Sequence, residues 1–353
     1  MTSRTALSFF RYFLYHIYNK KGVIFSVLFL HNANREIGKN ARRKYVKVTI
    51  IGGAGTLGSC AAFNIAVHHI ADEILLIDPW ENMLKAHWMD LTTAAAGQDV
   101  SVSRGTFEDM AGSDVVVITS GASSGVISSR SELISGNLPI IKDNAEKIRE
   151  FCPEAIVITE TNPVDSLNYA TYLVNRNADR RKFIGYTLND TIRFRMWTAE
   201  ALAVKPSRVQ GIVIGEHGYS QVMLFSSLRV DGKQVHLDEA SKKRIRSLPN
   251  QTLHDYEALQ PKRTAGWTSA VGTAAIISAI KNNTKEIIPC SAVLDGEYGC
   301  HNLSMTVPAV IGRDGIHDIK ILEMNKNEQE ALKSTLGVIS PLMRYVERFL
   351  GIT

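Results

Sequence analysis

The segment Ile51-Gly52-Gly53-Ala54-Gly55-Thr56-Leu57-Gly58 follows an apolar run, Val48 to Ile51, and opens a stretch that reads as a helix. Glycines let the backbone turn sharply and approach a ligand closely, and a helix beginning there offers N–H donors and a partial positive charge to an anion. A G-x-G-x-x-G spacing alone decides little, because glycine-rich turns are common. Here a strand precedes it, a helix follows, and Asp78 stands twenty residues beyond Gly58 at the end of the next apolar run. A carboxylate at that place accepts hydrogen bonds from both hydroxyls of a ribose and repels a 2'-phosphate, which selects NAD over NADP. Gly52, Gly55, Thr56, Leu57, Gly58 and Asp78 are therefore expected to bind this cofactor.

From Tyr45 the chain alternates short apolar runs with longer amphipathic ones, the pattern of crossover connections and a parallel sheet. Val48 to Ile51, Ile74 to Ile77, Val115 to Ile118 and Ala155 to Ile158 read as buried strands. Leu133, Ile134, Asn137, Ile140, Ile141, Asn144 and Ile148 recur at steps of three and four and share one helix face. The expected fold is α/β: a doubly wound parallel-sheet Rossmann domain over residues 45–187, then an α+β substrate domain over 188–353. In the second half the sequence predicts a helix from Asp190 to Ala203, strands at Gln210 to Ile214 and Gln221 to Val230, and a hairpin turn at Asp231-Gly232. A last helix, Asn327 to Leu350, contains Pro341, which is expected to kink or split it.

Residues 1–44 carry nine Lys/Arg against the single Glu36, whereas the other 309 residues carry 31 basic and 34 acidic side chains. The overall charge of +5 is thus a property of the leader, and a nucleic-acid-binding body is not supported. The leader reads as an extension outside the fold, although Arg-rich, acid-poor character also suits an organellar transit peptide. Its longest apolar run, Val23 to Leu30, is far short of the roughly 20 residues that span a bilayer. Cys60, Cys152, Cys290 and Cys300 form neither a disulfide framework nor a C-x-x-C pair, and read as reduced thiols in a cytoplasmic protein. No metal ligand set is expected.

Two further motifs carry chemistry. Asp190 and Arg193 stand three apart on a predicted helix and project to one side, and Gly215-Glu216-His217-Gly218 places a histidine in a turn. A carboxylate behind an imidazole fixes its tautomer and favours the protonated form, and an arginine fork binds a carboxylate through two parallel bonds. Taken singly, His217 is equally well a core or loop histidine, and Asp190 with Arg193 a surface ion pair.

Together, Asn162-Pro163-Val164-Asp165 after Thr161, the D-x-x-R of Asp190 and Arg193, the G-E-H-G around His217, Asp295-Gly296-Glu297-Tyr298-Gly299 and Val307-Pro308-Ala309 resemble, in order and spacing, the lactate/malate dehydrogenase family over about residues 46–350. The resemblance implies a homo-oligomeric, dimeric or tetrameric, NAD-dependent L-2-hydroxyacid dehydrogenase of the lactate dehydrogenase kind, acting on a small 2-oxo or 2-hydroxy acid. His217 would exchange the hydroxyl proton with Asp190 behind it, and Arg193 would clamp the substrate carboxylate. Asn162 would bond near the reacting oxygen and the nicotinamide ribose, with Thr119, Gly121 and Asn137 as further cofactor contacts. Gly121 to Arg130 resembles the mobile active-site loop, with Arg130 polarising the substrate carbonyl.

The chain departs from the family six residues before Arg130, where lactate enzymes commonly carry Gln and malate enzymes Arg: here stands Ser124, in an uncharged run. A second substrate carboxylate would lack a partner there and be costly to desolvate. Larger or polar side chains on the 2-oxo acid become plausible, with Trp267 and Thr268 lining the far wall. Tyr219 replaces the Asp that often follows G-E-H-G. The positions that bind fructose 1,6-bisphosphate in some bacterial lactate dehydrogenases read Arg195 and Gln210, half an anion site. The alternatives are a malate dehydrogenase with an atypical loop, a catalytically impaired NAD-binding paralogue, and an NAD-dependent glycosidase, whose Cys-Asn-x-Pro segment is missing.

Overall fold

A computed structural model describes residues 45–122, 130–175, 178–259 and 265–352, without the side chains of Arg130, Ser131, Glu132, Leu253 and Glu257. The leader and Ser124 lie outside these residues, and the side chain of Arg130 does too.

The first half alternates as its apolar pattern requires: β1 (Lys47–Ile51), α1 (Thr56–Val67), β2 (Glu73–Ile77), α2 (Glu81–Ala95), β3 (Ser101–Arg104), β4 (Val115–Ile118), α3 (Arg130–Phe151), β5 (Ile156–Thr159), α4 (Val164–Val174) and β6 (Phe183–Gly185). These six strands run parallel in the order β3-β2-β1-β4-β5-β6, so the order reverses between β1 and β4. A crevice for a ligand opens at such a reversal, outside the carboxyl ends of the strands. Every residue of β4 and β5 is buried, which is why both read as unbroken apolar runs. On α3, Ile134, Leu138, Ile141, Ala145 and Ile148 are buried at steps of four and three.

The second half contains α5 (Leu188–Ala201), β7 (Val209–Gln210), β8 (Val213–Ile214), β9 (Val222–Met223), β10 (Arg229–Val230), β11 (Lys233–Gln234), α6 (Glu239–Ala258), α7 (Trp267–Asn282), β12 (Glu286–Asp295), β13 (His301–Gly312), β14 (Gly315–Ile319) and α8 (Lys326–Phe349). β12 pairs antiparallel with β6, Ser291 opposite Gly185, and β13 and β14 extend the same sheet to nine strands among the described residues. A separate apolar cluster joins Phe194 and Trp197 of α5 to Val209, Val213, Met223, Phe225, Leu228 and Ile245.

Three expectations are corrected. The strand expected at Gln210 to Ile214 divides at Gly211 and Ile212, β7 joining β10 and β8 joining β9 in different small sheets. The strand expected at Gln221 to Val230 is broken by a tight helical turn at Phe225–Ser227, which drives Phe225 edge-on against Phe194 at 5.1 Å between ring centres. α8 runs through Pro341 without splitting: Leu332, Thr335, Ile339, Met343 and Val346 bury one face along its whole length, and Asn325 with Glu328 forms a capping box at its start. The packed face outweighs the hydrogen bond that proline removes. The hairpin at Asp231-Gly232 is present, with φ of +50° and +78° joining antiparallel β10 and β11.

Candidate active site

β1 ends at Ile51 and the chain turns at once. The N–H groups of Gly52 and Gly53 both donate to the Ile77 carbonyl, at 2.8 and 3.1 Å, which ties the turn to the end of β2. Gly52 has φ of +96°, and a Cβ on Gly58 would lie 2.3 Å from the Gly52 oxygen, so neither position admits a side chain. Thr119, just past β4, closes the turn from the other side by donating its hydroxyl to the Ile51 carbonyl at 3.0 Å. The first turn of α1 has no side-chain cap and no acidic residue, which leaves its N–H groups for an anion such as a pyrophosphate. Asp78 accepts from the backbone N–H groups of Ala54 at 3.0 Å and Trp80 at 2.9 Å, and it remains only partly buried at the mouth of the turn. Each oxygen keeps a further lone pair for a ribose hydroxyl. The glycine turn, the α1 start and Asp78 fit the adenosine and pyrophosphate parts of NAD.

The crevice continues over the ends of β4 and β5. Asn137 on α3 bridges the two loops: its Oδ1 accepts from Ala122 N and its Nδ2 donates to the Asn162 carbonyl, both at 2.7 Å. Gly121 lies between them, where a Cβ would come within 3.1 Å of Asn137 Oδ1. Thr161 donates its hydroxyl to the Ser120 carbonyl at 2.7 Å. Asn162, joined to Pro163 by a cis peptide bond, lies between the end of β5 and the start of α4.

The two motifs that sequence placed on separate elements meet at this rim. His217 Nδ1 lies 2.6 Å from Asp190 Oδ2, in the first turn of α5. The backbone N–H of His217 donates to Asp165 Oδ2 at 2.7 Å. Gly215 and Thr306 exchange two backbone hydrogen bonds, of 2.9 and 2.8 Å, which anchor the histidine turn on β13. Burial alone would lower the His217 pKa, but the charge and hydrogen bond of Asp190, helped by Asp165, outweigh it and raise the imidazole above its ordinary value. Arg193 Nη1 stands 3.7 Å from Asp190 Oδ1, beyond a normal hydrogen bond, and its side chain is about a third exposed (34%). Its fork can therefore meet a carboxylate in the crevice.

Thr268 lies in the first turn of α7, half-buried, and its carbonyl accepts from the Tyr186 hydroxyl at 3.2 Å. Trp267 is 64% exposed. Arg130 begins α3, and its side chain, like all of Ser124, is outside the described residues. Arg195 is half-buried and donates Nε to the Gly211 carbonyl at 2.9 Å, while Gln210 is exposed. Asp165, which sequence marks only as the end of the N-P-V-D motif, proves to be buried and to receive both the His217 N–H and the Ser291 hydroxyl. The one charged residue of the helix, standing in its first turn, was the available signal.

Known proteins resemble this chain along most of its length. The lactate/malate dehydrogenase NAD-binding domain matches residues 46–185, and the lactate/malate dehydrogenase alpha/beta C-terminal domain matches residues 187–349. A malate dehydrogenase of Natronomonas pharaonis is 36% identical over 298 residues, 83% of this chain and 97% of its own length. L-lactate dehydrogenase 2 of Enterococcus faecalis is 32% identical over 305 residues, 84% of this chain and 96% of its own. The solved structure of Cryptosporidium parvum lactate dehydrogenase, complexed with lactic acid and β-nicotinamide adenine dinucleotide, superposes with a TM-score of 0.81 at 27% identity, covering 86% of this chain and 98% of that one.

Proposed function

The chain belongs to the lactate/malate dehydrogenase family of NAD-dependent oxidoreductases, and on that premise we propose that it interconverts a 2-oxo acid and the L-2-hydroxy acid, in the lactate dehydrogenase manner. The observation that carries this reading is the His217–Asp190 pair at 2.6 Å with Arg193 one turn further along the same helix. Asp190 holds the Nδ1 proton and orients the ring, so Nε2 is the atom that exchanges a proton with the substrate oxygen. NAD, when bound, supplies the hydride acceptor or donor. Arg193 binds the substrate carboxylate, and Asn162 bonds near the reacting oxygen and the nicotinamide ribose. Arg130, at the start of α3, polarises the carbonyl. Residues 45–187 form the cofactor half and 188–353 the substrate half in this proposal.

The loop sequence from Ser123 to Ser129 contains no cation, which favours substrates without a second carboxylate. Malate is the second reading, and the 36% identity to a malate dehydrogenase favours it. Self-association into a dimer or tetramer suits the exposed Phe63 and Val271 on the mutually packed α1 and α7. The four cysteines form no disulfide, in keeping with a reducing compartment such as the cytoplasm. The test is NADH oxidation across pyruvate, oxaloacetate, 2-oxoisocaproate and phenylpyruvate, ranked by kcat/KM. Activity with none of them would overturn the dehydrogenase reading, and a first rank for oxaloacetate would favour malate.

A further inference from the structure

Glu160 is a buried carboxyl that the proposed reaction does not use. It follows the last residue of β5, and its N–H donates to the Ile118 carbonyl at 2.9 Å, extending the ladder with β4. Its side chain is directed at α7, where the Thr273 hydroxyl shares its single proton between Oε1 and the Ser269 carbonyl. Oε2 is fully enclosed and has no hydrogen-bond partner among the described residues. The residue is 5% exposed.

Among the described residues no cation is in contact with it. From the turn between β6 and α5 comes Tyr186, whose phenol donates to Asn189 Oδ1 at 2.7 Å, and Asn189 in turn donates to Ser269 at 2.9 Å. Gly272 on α7 makes room for this phenol, since a Cβ there would lie 2.1 Å from its oxygen. The first two turns of α7, from Trp267 to Ala274, contain no titratable side chain, and α1 contributes Cys60 alone. Beyond Tyr186 lie Asp190, Arg193 and His217, already engaged with one another. Burial pushes the Glu160 carboxyl up to about 8, against a smaller pull from Thr273, so the group is neutral at pH 7.

Its place relative to NAD follows from the fold. A dinucleotide with its pyrophosphate at the start of α1 and its adenosine ribose at Asp78 must lay its other half across the ends of β4 and β5. The start of α7 stands beside the start of α1, since a Cβ on Gly266 would come within 3.0 Å of Cys60 Sγ and 3.2 Å of Thr56 Cγ2. The end of β5 and the beginnings of α1 and α7 would bound the nicotinamide half, which would lie over the enclosed Glu160.

We propose that Glu160 couples the oxidation state of the bound cofactor to a proton, remaining neutral beneath reduced nicotinamide and releasing its proton to solvent when the oxidised, positively charged ring binds. A lone carboxylate is costly in this enclosure, and a positive ring is the partner that makes ionisation favourable. NADH carries no such charge. The inference rests on the dehydrogenase reading above, and the experiment separates the two.

Dissociation constants of NAD and NADH are measured by fluorescence titration of the full chain from pH 6.5 to 9, with calorimetry in two buffers of different ionisation enthalpy to count protons. A drop of one unit in the carboxyl pKa on binding makes NAD bind about five- to tenfold more tightly across that range, with proton release, while NADH gains nothing. His217→Asn removes the imidazole that titrates in the same range and should retain a pH dependence of NAD binding, which Glu160→Gln in that background should abolish while leaving NADH affinity as in its parent. Thr273→Val removes the donor that favours the ionised form and should move the remaining inflection to higher pH. An NAD/NADH affinity ratio of His217→Asn that is flat with pH, or a slope that persists after Glu160→Gln is added or does not move with Thr273→Val, overturns the inference alone. Failure of the wild type to bind either form overturns the dehydrogenase reading and the inference with it.

Discussion

Asp165 receives the backbone N–H of His217 at 2.7 Å, fifty-two positions away in sequence, while its other oxygen receives the hydroxyl of Ser291. The start of α4, the histidine turn and β12 are thereby fastened at one carboxylate, and the imidazole is positioned through its main chain as well as through Asp190. Asparagine in place of Asp165 offers one acceptor and two unwanted donors to these same groups. Asp165→Asn should lower kcat by up to about 10²-fold, as expected for a misplaced reacting group, with the KM for NADH nearly unchanged. Steady-state kinetics beside a thermal melt check this. A lowered Tm with unchanged kcat would leave Asp165 a purely structural role.

His217→Asn should bind NADH with nearly the wild-type affinity and turn over about 10² to 10⁴ times more slowly, the usual span for lost acid–base catalysis. The raised pKa of the imidazole sets the pH behaviour: reduction of the 2-oxo acid needs the protonated ring and should fall as pH rises through that value, while oxidation should rise. The same shift contributes stability that is fully present below the ordinary histidine value near 6.5 and lost as pH rises through the folded value. Rate–pH profiles in both directions, wild type against variant, are the measurement. Turnover within tenfold of wild type would remove His217 from the proton step.

The legible parts of this molecule were those whose signal is local. β1, β2, β4 and β5 are short, mostly apolar runs, and Asp78 could be placed from its position at the end of the second of them, whereas Thr119 and Asn162 came only from the resemblance to the family. The β12–β13 hairpin was not legible: Pro289 faces Pro308 within it, and proline inside an apolar run argues against a strand. The meeting of His217 with Asp165 and Asp190 depends on Gly215 pairing with Thr306 of that unforeseen hairpin. Glu160 looked like any polar residue beside Asn162, since its enclosure comes from α7, more than a hundred residues later.

Asp78 supports the glycine turn by accepting from Ala54 N at 3.0 Å, and in the proposed reading its charge sets the choice of cofactor. The wild type should prefer NADH to NADPH, and Asp78→Ser should reduce that preference by about 10- to 100-fold, the value of one charged hydrogen-bonding group. The loss of the Ala54 contact should also raise the KM for NADH. Equal use of both cofactors by the wild type would contradict the role given to Asp78.

Ser124 tests the substrate proposal at the point where the loop sequence leaves the family pattern. A dicarboxylic 2-oxo acid enclosed beside the run Ser123 to Ser129 has no cation there to replace its lost hydration, so pyruvate-like substrates should be preferred. Ser124→Arg would supply a guanidinium whose charge-assisted hydrogen bonds are worth roughly 1.5 to 3 kcal/mol. The ratio of kcat/KM for oxaloacetate to that for pyruvate should then rise by roughly 10- to 150-fold, since about 1.4 kcal/mol is a factor of ten. Thr268, half-buried at the start of α7, is the competing determinant. A companion Thr268→Val variant with Ser124 intact separates the two: selectivity that moves with Thr268 and stays fixed in Ser124→Arg would transfer the discriminating role from the loop to the helix.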